Sequence, residues 1–387
     1  MEVKQVAEFV NGAFEQATGQ TGIITEDLQT AGIVDTGTQI LSSATAVDNF
    51  VKSLVDRIGR TWIRQRKYEG ELPNMLWDKV EYGSVIQVIK YNMPDAQDTQ
   101  DWQLQDGQVY EQNTFYAPKV EVKYYNDKIT FTIPYSVTDL QLKEAFVDAS
   151  TLTSFVSGLV LYVSNAMAKR IEILVKDVMG NLIAETIYDD YGATTISSTS
   201  GVKAINLLYL YNTAMNTSLT ADVAIKTPDF IRFACYYLKL YNDRLASMTT
   251  MFNIQGRMTW TPASERELAI LADFKAGADV YLQSQTFHDE LTALPTAQSV
   301  NFWQGTGTGY DFADVSAIKV TTSEGHSVDV TGVIAVLYDK WACGVCNYDH
   351  RVRTHRNEVA EFTNFWDKQD LHLFNDFGEN CVVFIVA

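Results

Sequence analysis

Two cysteines and two histidines near the end of the chain have the residue types of a zinc site. They are Cys343, Cys346, His350 and His355. Two thiolates and two imidazoles can hold a tetrahedral zinc ion, and a Cys-x-x-Cys pair can also serve as a redox centre. Only three residues separate the two pairs, whereas a zinc finger folds about twelve residues around its metal. No helical pattern follows the cysteines to lower a thiol pKa. The spacing favours buried structural thiols and leaves a zinc or redox protein as the alternative.

Three other segments contain residue types that occur in phosphate-binding or catalytic sites, but each lacks the other residues that such a site requires. Gly305–Gly309 has the glycines of a phosphate-binding loop, yet no Lys-Ser/Thr pair and no apolar helix follow it, so a turn is favoured. Asp189–Asp190 and the acidic stretch Asp95–Glu111 lie in predicted connectors without a nearby histidine or lysine, which predicts solvated carboxylates rather than an acid–base pair. We therefore expect no catalytic residue, no metal ligand and no cofactor, and predict that the chain is not an enzyme.

Clusters of opposite charge are a second kind of candidate site. The acidic stretch 95–111 contains no base, while two basic clusters lie at Arg57–Lys67 and Arg351–Arg356. Contact with nucleic acid is disfavoured because 30 Lys and Arg against 48 Asp and Glu give the chain a net charge of -18, which repels phosphate at long range. We expect ion pairs between acidic and basic segments of different subunits instead. The candidate contact residues are Asp95, Asp98, Asp101, Asp106, Arg57, Arg60, Arg64, Arg66, Arg351 and Arg353.

The composition excludes several classes of protein. With 46% hydrophobic and 20% charged residues, the chain is not disordered. The richest apolar window, Phe155–Ala168, is shorter than the ~20 residues that a membrane span requires. No early apolar run follows a basic stretch, so we expect no signal peptide. Four cysteines in 387 residues do not make a disulfide scaffold, which favours synthesis in a reducing cytoplasm.

The elements that position these residues follow from the spacing of apolar side chains. A period of three to four residues predicts a short helix at Val6–Phe14 followed by an extended arm, a helix at Val47–Ile58, and a rod of more than 30 residues from Leu152 past Ile183. Alternation of apolar and polar residues predicts strands over Val80–Tyr91 and Lys119–Pro134. Together these strands would make a two-stranded ribbon with an acidic tip. Such a ribbon is marginally stable alone in water, so we expect another molecule to cover it.

The second half of the chain is predicted to form an inserted lobe and a set of closing strands. Helical and strand patterns alternate between residues 204 and 332, which is typical of an α/β lobe. The closing strands, expected to return to the first core, are Gly332–Tyr338, Ala360–Trp366 and Cys381–Val386.

The order of these parts, together with three segments, resembles a known family. The segments are Val47–Gly59 with Ile63–Gln65, Leu142–Phe146 leading into Leu152–Gly158, and more weakly Val333–Trp341. The chain resembles the major capsid proteins of tailed double-stranded-DNA phages that have the Hong Kong 97-type fold. Within that family it looks most similar to the capsid proteins of small podophages of Gram-positive hosts.

The resemblance implies an α+β fold with an N-terminal arm, an extended β-hairpin loop, a long spine helix in a peripheral domain, and an inserted α/β axial domain. The implied segments are the arm at 1–44, the first part of the peripheral domain at 45–75, the extended loop at 76–134, the peripheral domain with its spine helix at 135–203, the axial domain at 204–331, and the closing peripheral strands at 332–387.

The function that the resemblance implies is structural. Copies of the chain would self-assemble into hexamers and pentamers of an icosahedral head that encloses double-stranded DNA without sequence recognition. The implied partners are the chain itself, a scaffolding protein, a portal protein and the packaged DNA, with no membrane. The protein would be assembled in the host cytoplasm and reside in the virion. Because a short segment precedes Val47, we expect a separate scaffolding protein and no proteolytic maturation. An encapsulin-like nanocompartment shell, which has the same fold, is the nearest alternative.

Overall fold

The computed structural model describes most of the chain in two compact units. The described residues are 3–18, 30–40, 47, 49–50, 53, 71–77, 85–94, 96, 103–109, 113, 115–146, 149–192, 196, 199–283, 297–304 and 311–387. Unit 1 comprises Met1–Pro73, Lys128–Leu174 and Cys346–Leu371, and unit 2 comprises Asn74–Asp127, Val175–Val345 and His372–Ala387.

Helices and strands are mixed in the described residues. The helices are α1 (Val3–Thr18), α2 (Thr30–Ile40), α3 (Asp139–Ala145), α4 (Ala149–Tyr191), α5 (Leu207–Met215), α6 (Ala221–Ala224), α7 (Pro228–Arg244), α8 (Ala272–Gln283) and α9 (Phe312–Val315). The strands are β1 (Leu76–Trp77), β2 (Ile86–Tyr91), β3 (Val120–Tyr125), β4 (Lys128–Thr138), β5 (Ala204–Asn206), β6 (Arg266–Leu271), β7 (Gln298–Val300), β8 (Ile318–Thr321), β9 (Ser327–Val330), β10 (Val333–Asp339), β11 (Cys343–Asn357), β12 (Phe362–Asn375) and β13 (Cys381–Ile385). This is the α+β class that the sequence predicts.

The strands form two larger sheets and two hairpins. A four-stranded sheet has the order β1-β11-β12-β4, and a five-stranded sheet has the order β5-β13-β10-β6-β7. The strands β2 and β3 pair with each other, as do β8 and β9. In the five-stranded sheet β10 is central and all seven of its residues are buried, as expected for a strand that is covered on both faces.

The long helix predicted from the apolar period is confirmed. It is α4, with 43 residues, so it is roughly 65 Å long at ~1.5 Å per residue. In its second half, within unit 2, Val178, Leu182 and Ile183 are buried on more than one side of the helix, which is typical of a helix enclosed in a core. No helix in the described part of the chain is both long and apolar enough to cross a bilayer.

Unit 1 has a core that includes the N-terminal helix. Ala7, Val10 and Phe14 of α1 pack in one cluster with Phe146 and Phe365. The predicted helix at Val6–Phe14 is therefore confirmed and is longer than expected. The extended arm predicted after it is partly wrong, because residues 30–40 form the helix α2. Residues 47, 49, 50 and 53 of the predicted Val47–Ile58 helix are helical, and the rest of that segment lies outside the described residues.

The predicted ribbon has a different second half. The segment Lys119–Pro134, expected to be one strand, is two: β3 pairs with β2, whereas β4 joins β12 in the four-stranded sheet. Asn126 and Asp127 separate β3 from β4, and both residue types favour turns. The apolar positions also change there from Val120, Val122 and Tyr124 to Ile129, Phe131 and Ile133, so the alternation shifts by one residue at the break, a signal that the prediction of one strand missed.

The predicted closing strands belong to two different sheets. β12 pairs with β4, but β10 pairs with β6 and β13, and β13 pairs with β5. The expectation that all of the closing strands return to the first core is therefore wrong for β10 and β13. Both strands are fully buried, so each needs hydrogen-bonded neighbours, and in unit 2 strands from residues 204–271 supply them. The boundaries of the six segments predicted above remain a prediction.

Candidate functional site

The two cysteines of the possible zinc or redox site are buried in β11. Cys343 and Cys346 are three residues apart on one strand, and alternate residues of a strand point to opposite faces, so this spacing does not bring the two thiols together. Burial raises the pKa of Cys343 well above its ordinary value and that of Cys346 to about 11. Both thiols are therefore protonated at neutral pH, a form that neither ligates metal nor attacks a disulfide.

The two histidines of the same motif are separate from the cysteines. Buried His350 lies 2.5 Å from Asp367 through its Nε2 atom, and His355 is exposed. Among the described residues, no group of three or more Cys, His, Asp and Glu side chains is arranged to hold a metal ion. These positions give no support to a zinc or redox site.

The Asp189–Asp190 pair is not a solvated connector, contrary to the prediction from sequence. The two residues lie in the last turn of α4, where Lys203 Nζ is 2.5 Å from Asp189 and 3.2 Å from Asp190. Asp190 Oδ2 also accepts the backbone N–H groups of Lys203 and Ala204, at 2.6 and 2.7 Å. The pair therefore fastens the end of α4 to β5. The sequence prediction considered only charges close to the pair in sequence, so it did not include Lys203, which comes 13 residues after Asp190. Gly305–Gly309 lies outside the described residues.

The outer face of the ribbon β2–β3 is a surface that the sequence motifs did not indicate. The register pairs Ile89 with Val122 and Tyr91 with Val120, so these side chains share one face. On it Ile89 is 53% exposed and Val122 41% exposed, and Tyr91, Val120 and Tyr124 are exposed as well. The outer face is thus a row of apolar side chains in contact with water.

Exposed apolar residues continue beyond the ribbon strands. Met93 follows β2, and Phe115 and Tyr116 precede β3. In the described part of the loop between the strands, Leu104 and Val109 are also exposed. An exposed apolar patch of this extent marks an interaction surface on a soluble protein.

The inner face of the same ribbon has charged residues where apolar ones are usual. Lys90 is 7% exposed and contacts Asp376 and Glu379, the latter at 2.5 Å. Lys123 contacts Asp376 at 2.8 Å. On this face Lys90 and Lys123 direct their ammonium groups toward the body of unit 2 beside the partly buried Ile86, Val88 and Tyr125, while the apolar side chains of the outer face point to solvent.

The chain matches one family model over almost its whole length, that of the Phi29-like phage major capsid proteins, at residues 8–385. The chain belongs to this family. The capsid protein matches no curated protein sequence. It shares a fold with a chain in the structure of the head fiber and inner core protein gp22 of native bacteriophage P68, with 9% identity, a TM-score of 0.50, and coverage of 81% of this chain and 83% of that chain.

Two further solved structures are similar to the capsid protein. One is the capsid structure of Staphylococcus phage Andhra, with 9% identity, a TM-score of 0.49 and coverage of 81% and 83% of the two chains. The other is the capsid structure of the Cyanophage P-SCSP1u, with 13% identity, a TM-score of 0.45 and coverage of 81% and 86%. The family match makes the protein a structural component of a phage virion, and favours neither an encapsulin-like shell nor a zinc or redox protein.

Few of the predicted contact residues of the capsid protein fall in the described part of the chain. Asp106 is exposed in the loop between β2 and β3, and Arg353 is exposed on β11. Arg351 is paired within unit 1, at 2.6 Å from Asp370 and 2.9 Å from Asp349. The seven others lie outside the described residues: Asp95, Asp98, Asp101, Arg57, Arg60, Arg64 and Arg66.

Proposed function

We propose that this capsid protein is the Hong Kong 97-type shell subunit of its phage and self-assembles into the hexamers and pentamers of an icosahedral head around double-stranded DNA. The observation that carries the proposal is the exposed apolar face of the ribbon β2–β3. At about 25 cal/mol per Å² of apolar surface, covering such a face favours association. The proposed cover is the long helix of a neighbouring copy.

A closed shell provides that cover for every copy at once. An uncovered ribbon with apolar side chains would otherwise promote uncontrolled association. In a closed symmetric lattice each ribbon has one defined neighbour. Many contacts of modest strength then stabilise the shell together, so no single interface has to be tight.

The proposed partners follow from this role. A scaffolding protein and a portal protein would direct assembly in the host cytoplasm. The packaged DNA would be enclosed without sequence recognition, because a net charge of -18 keeps the wall from holding phosphate tightly. The predicted ion pairs between the acidic stretch 95–111 and the basic clusters at 57–67 and 351–356 of different copies remain part of this proposal. The role requires no catalysis.

The test replaces apolar side chains of the outer ribbon face by carboxylates. Ile89→Glu combined with Val122→Glu places two like charges opposite each other at the proposed contact. Val223→Glu is the matched control, because Val223 is 51% exposed on α6, away from the ribbon. Each chain is expressed alone and with the scaffolding protein, then studied by sedimentation velocity and electron microscopy.

We expect closed shells from the wild type and from the control. The double variant should remain as subunits or small oligomers, with an unchanged circular dichroism spectrum and a urea midpoint only slightly below that of the wild type, because the two opposed carboxylates repel each other within the ribbon. Wild-type chains that stay monomeric under every condition would overturn the proposed function. A double variant that assembles as the wild type does would show that the ribbon face is not the contact.

A further inference from the structure

The inner face of the ribbon belongs to a compact ion cluster. Its cations are Lys90, Lys123 and Arg257, and its anions are Glu121, Asp376 and Glu379, so three positive charges balance three negative ones. In addition to the contacts of Lys90, Lys123 Nζ is 2.8 Å from Asp376 and 3.5 Å from Glu121, and Arg257 is 3.1 Å from Glu379. Lys123 also donates to the side-chain oxygen of Gln255.

The cluster joins three segments of unit 2 that are distant in sequence. Lys90 and Lys123 come from the two strands of the ribbon, Gln255 and Arg257 from the loop after α7, and Asp376 and Glu379 from the turn between β12 and β13. Each ribbon strand thus has its own attachment to the turn.

The turn between β12 and β13 comes close to Lys123 of the ribbon at Gly378. A Cβ atom added to Gly378 would lie 2.7 Å from Gln255 Oε1 and 3.0 Å from Lys123 Nζ. The backbone at Gly378 thus lies directly against the ion cluster, and a larger residue there would have to displace the ends of these two side chains.

Charge neutralisation keeps one carboxylate of the cluster, that of Asp376, ionised. Burial alone would raise the pKa of Asp376, but the ammonium groups of Lys123 and Lys90 outweigh it and hold that pKa below its ordinary value. The carboxylate is ionised throughout the neutral range, so the attachment persists under the conditions in which a shell forms.

Buried ion pairs of this kind contribute direction rather than stability. Replacing a buried pair by apolar residues of similar volume is often neutral or stabilising, because the charges lose their hydration on burial. Apolar packing, in contrast, is non-directional. Lys90 and Lys123 bind the two oxygens of Asp376 from adjacent strands, which restricts the orientation of the ribbon more narrowly than the apolar side chains on the same face could alone.

We propose that Lys90, Lys123, Asp376 and Glu379 are positioning residues that set the angle of the ribbon, and that a uniform shell size depends on them. This inference rests on the proposed function. The apolar outer face of the ribbon is directed at a neighbouring copy, and the angle between a contact surface and the body of a subunit determines whether and at what size a lattice closes. If the ribbon could rotate about its long axis, subunits would form closed shells of several sizes.

The experiment replaces charged side chains of the ion cluster by uncharged side chains of similar size. Lys90→Met, Lys123→Met and Asp376→Asn are combined, so that the side-chain oxygen at 376 still accepts the N–H of Gly378 and the remaining Glu379 keeps Arg257 as its partner. The control combines Lys319→Met with Asp329→Asn, an exposed ion pair on the hairpin β8–β9. A second variant, Lys90→Arg with Lys123→Arg, keeps the charges and should restore the wild-type result.

Three quantities are measured on each full-length chain: the urea midpoint, the shell diameters by electron microscopy, and hydrogen–deuterium exchange of the ribbon amides before assembly. For the triple variant we expect a midpoint equal to or above that of the wild type, shells of several diameters, and ribbon exchange that is roughly tenfold faster. The control and the arginine variant should form shells of one diameter. If the triple variant does not fold, Lys90→Met alone tests the attachment of β2, because Asp376 keeps Lys123 as its partner; we then expect the same broadening of shell diameters and faster ribbon exchange, each to a smaller extent.

Uniform wild-type-sized shells from the triple variant would overturn the inference and leave the proposed function standing. Unchanged ribbon exchange in the triple variant would overturn it as well. A wild type that never assembles would overturn the proposed function itself, and with it the role in shell size. Failure of the proposal and failure of the function therefore give different results.

Discussion

Asp339 is a carboxylate that lowers stability at neutral pH. It is 2% exposed at the end of β10, where its Oδ1 accepts the N–H of Trp341 at 2.9 Å. Burial raises its pKa to about 6, although hydrogen bonds from Trp341 and Thr261 oppose the shift. The unfolded chain has an Asp pKa of about 3.9. Between these values the folded state holds a proton that the unfolded state lacks, so this group's stabilising contribution is full below about pH 4 and is lost as the pH rises through 6.

Asp339→Asn should therefore stabilise the unassembled protein at pH 7, by about 1 to 2 kcal/mol, because it removes a buried charge and keeps the acceptor for Trp341. The measurement is urea unfolding from pH 4 to pH 8. The gain should grow between pH 4 and pH 6 and then level off. Asp329→Asn, at an exposed aspartate, is the control. A variant that is equally stabilised at pH 4 and pH 8 would contradict the assignment.

The start of α3 shows how one element is fixed by its first residues. The Thr138 side chain accepts the N–H of Gln141 at 3.2 Å, and the Gln141 side chain accepts the N–H of Thr138 at 3.1 Å. This reciprocal pair is a capping box, which satisfies two backbone donors that a helix otherwise leaves without partners.

Thr138→Ala should lower the free energy of unfolding by about 1 kcal/mol, because the helix loses its capping acceptor. Thr138→Ser keeps the hydroxyl and is the matched control, expected within about 0.5 kcal/mol of the wild type. Urea unfolding of the unassembled chain measures both. Equal losses in the two variants would mean that the methyl group of Thr138, rather than its hydroxyl, stabilises this end of the helix.

At the same scale, the spacing of apolar residues predicted most elements but not their partners. The helix α4 and the strands β10 and β13 were predicted because their apolar runs are long. The burial of Lys90 and the exposure of Ile89 were not predicted, because alternation shows that the two side chains lie on opposite faces but not which face is buried. The partner that buries Lys90 is Asp376, 286 residues later in the chain. A site built from such distant residues is invisible to a local pattern.

For the whole molecule, Arg351 and Arg353 were predicted from the sequence to have the same role, but their surroundings in the structure differ. Arg351 is held by Asp370. Burial alone would raise the pKa of Asp370, but hydrogen bonds from Arg351, Thr130 and Lys128 lower it to about 2. Arg353 is exposed and has no carboxylate partner among the described residues. Of these two arginines, Arg353 is the one whose charge is available for an acidic segment of another copy.

Arg351→Glu and Arg353→Glu should therefore have different effects. The first places a carboxylate beside Asp370 and should lower the free energy of unfolding by about 1 to 3 kcal/mol. The second should leave that free energy within about 0.5 kcal/mol of the wild type but slow assembly, most at low salt, because ionic strength screens contacts between exposed charges. Urea unfolding measures the first effect, and light scattering at about 0.05 and 0.5 M salt measures the second. If Arg353→Glu assembles at the wild-type rate with the same salt dependence, this basic cluster takes no part in the contact between subunits, and the apolar ribbon face remains as the surface that joins them.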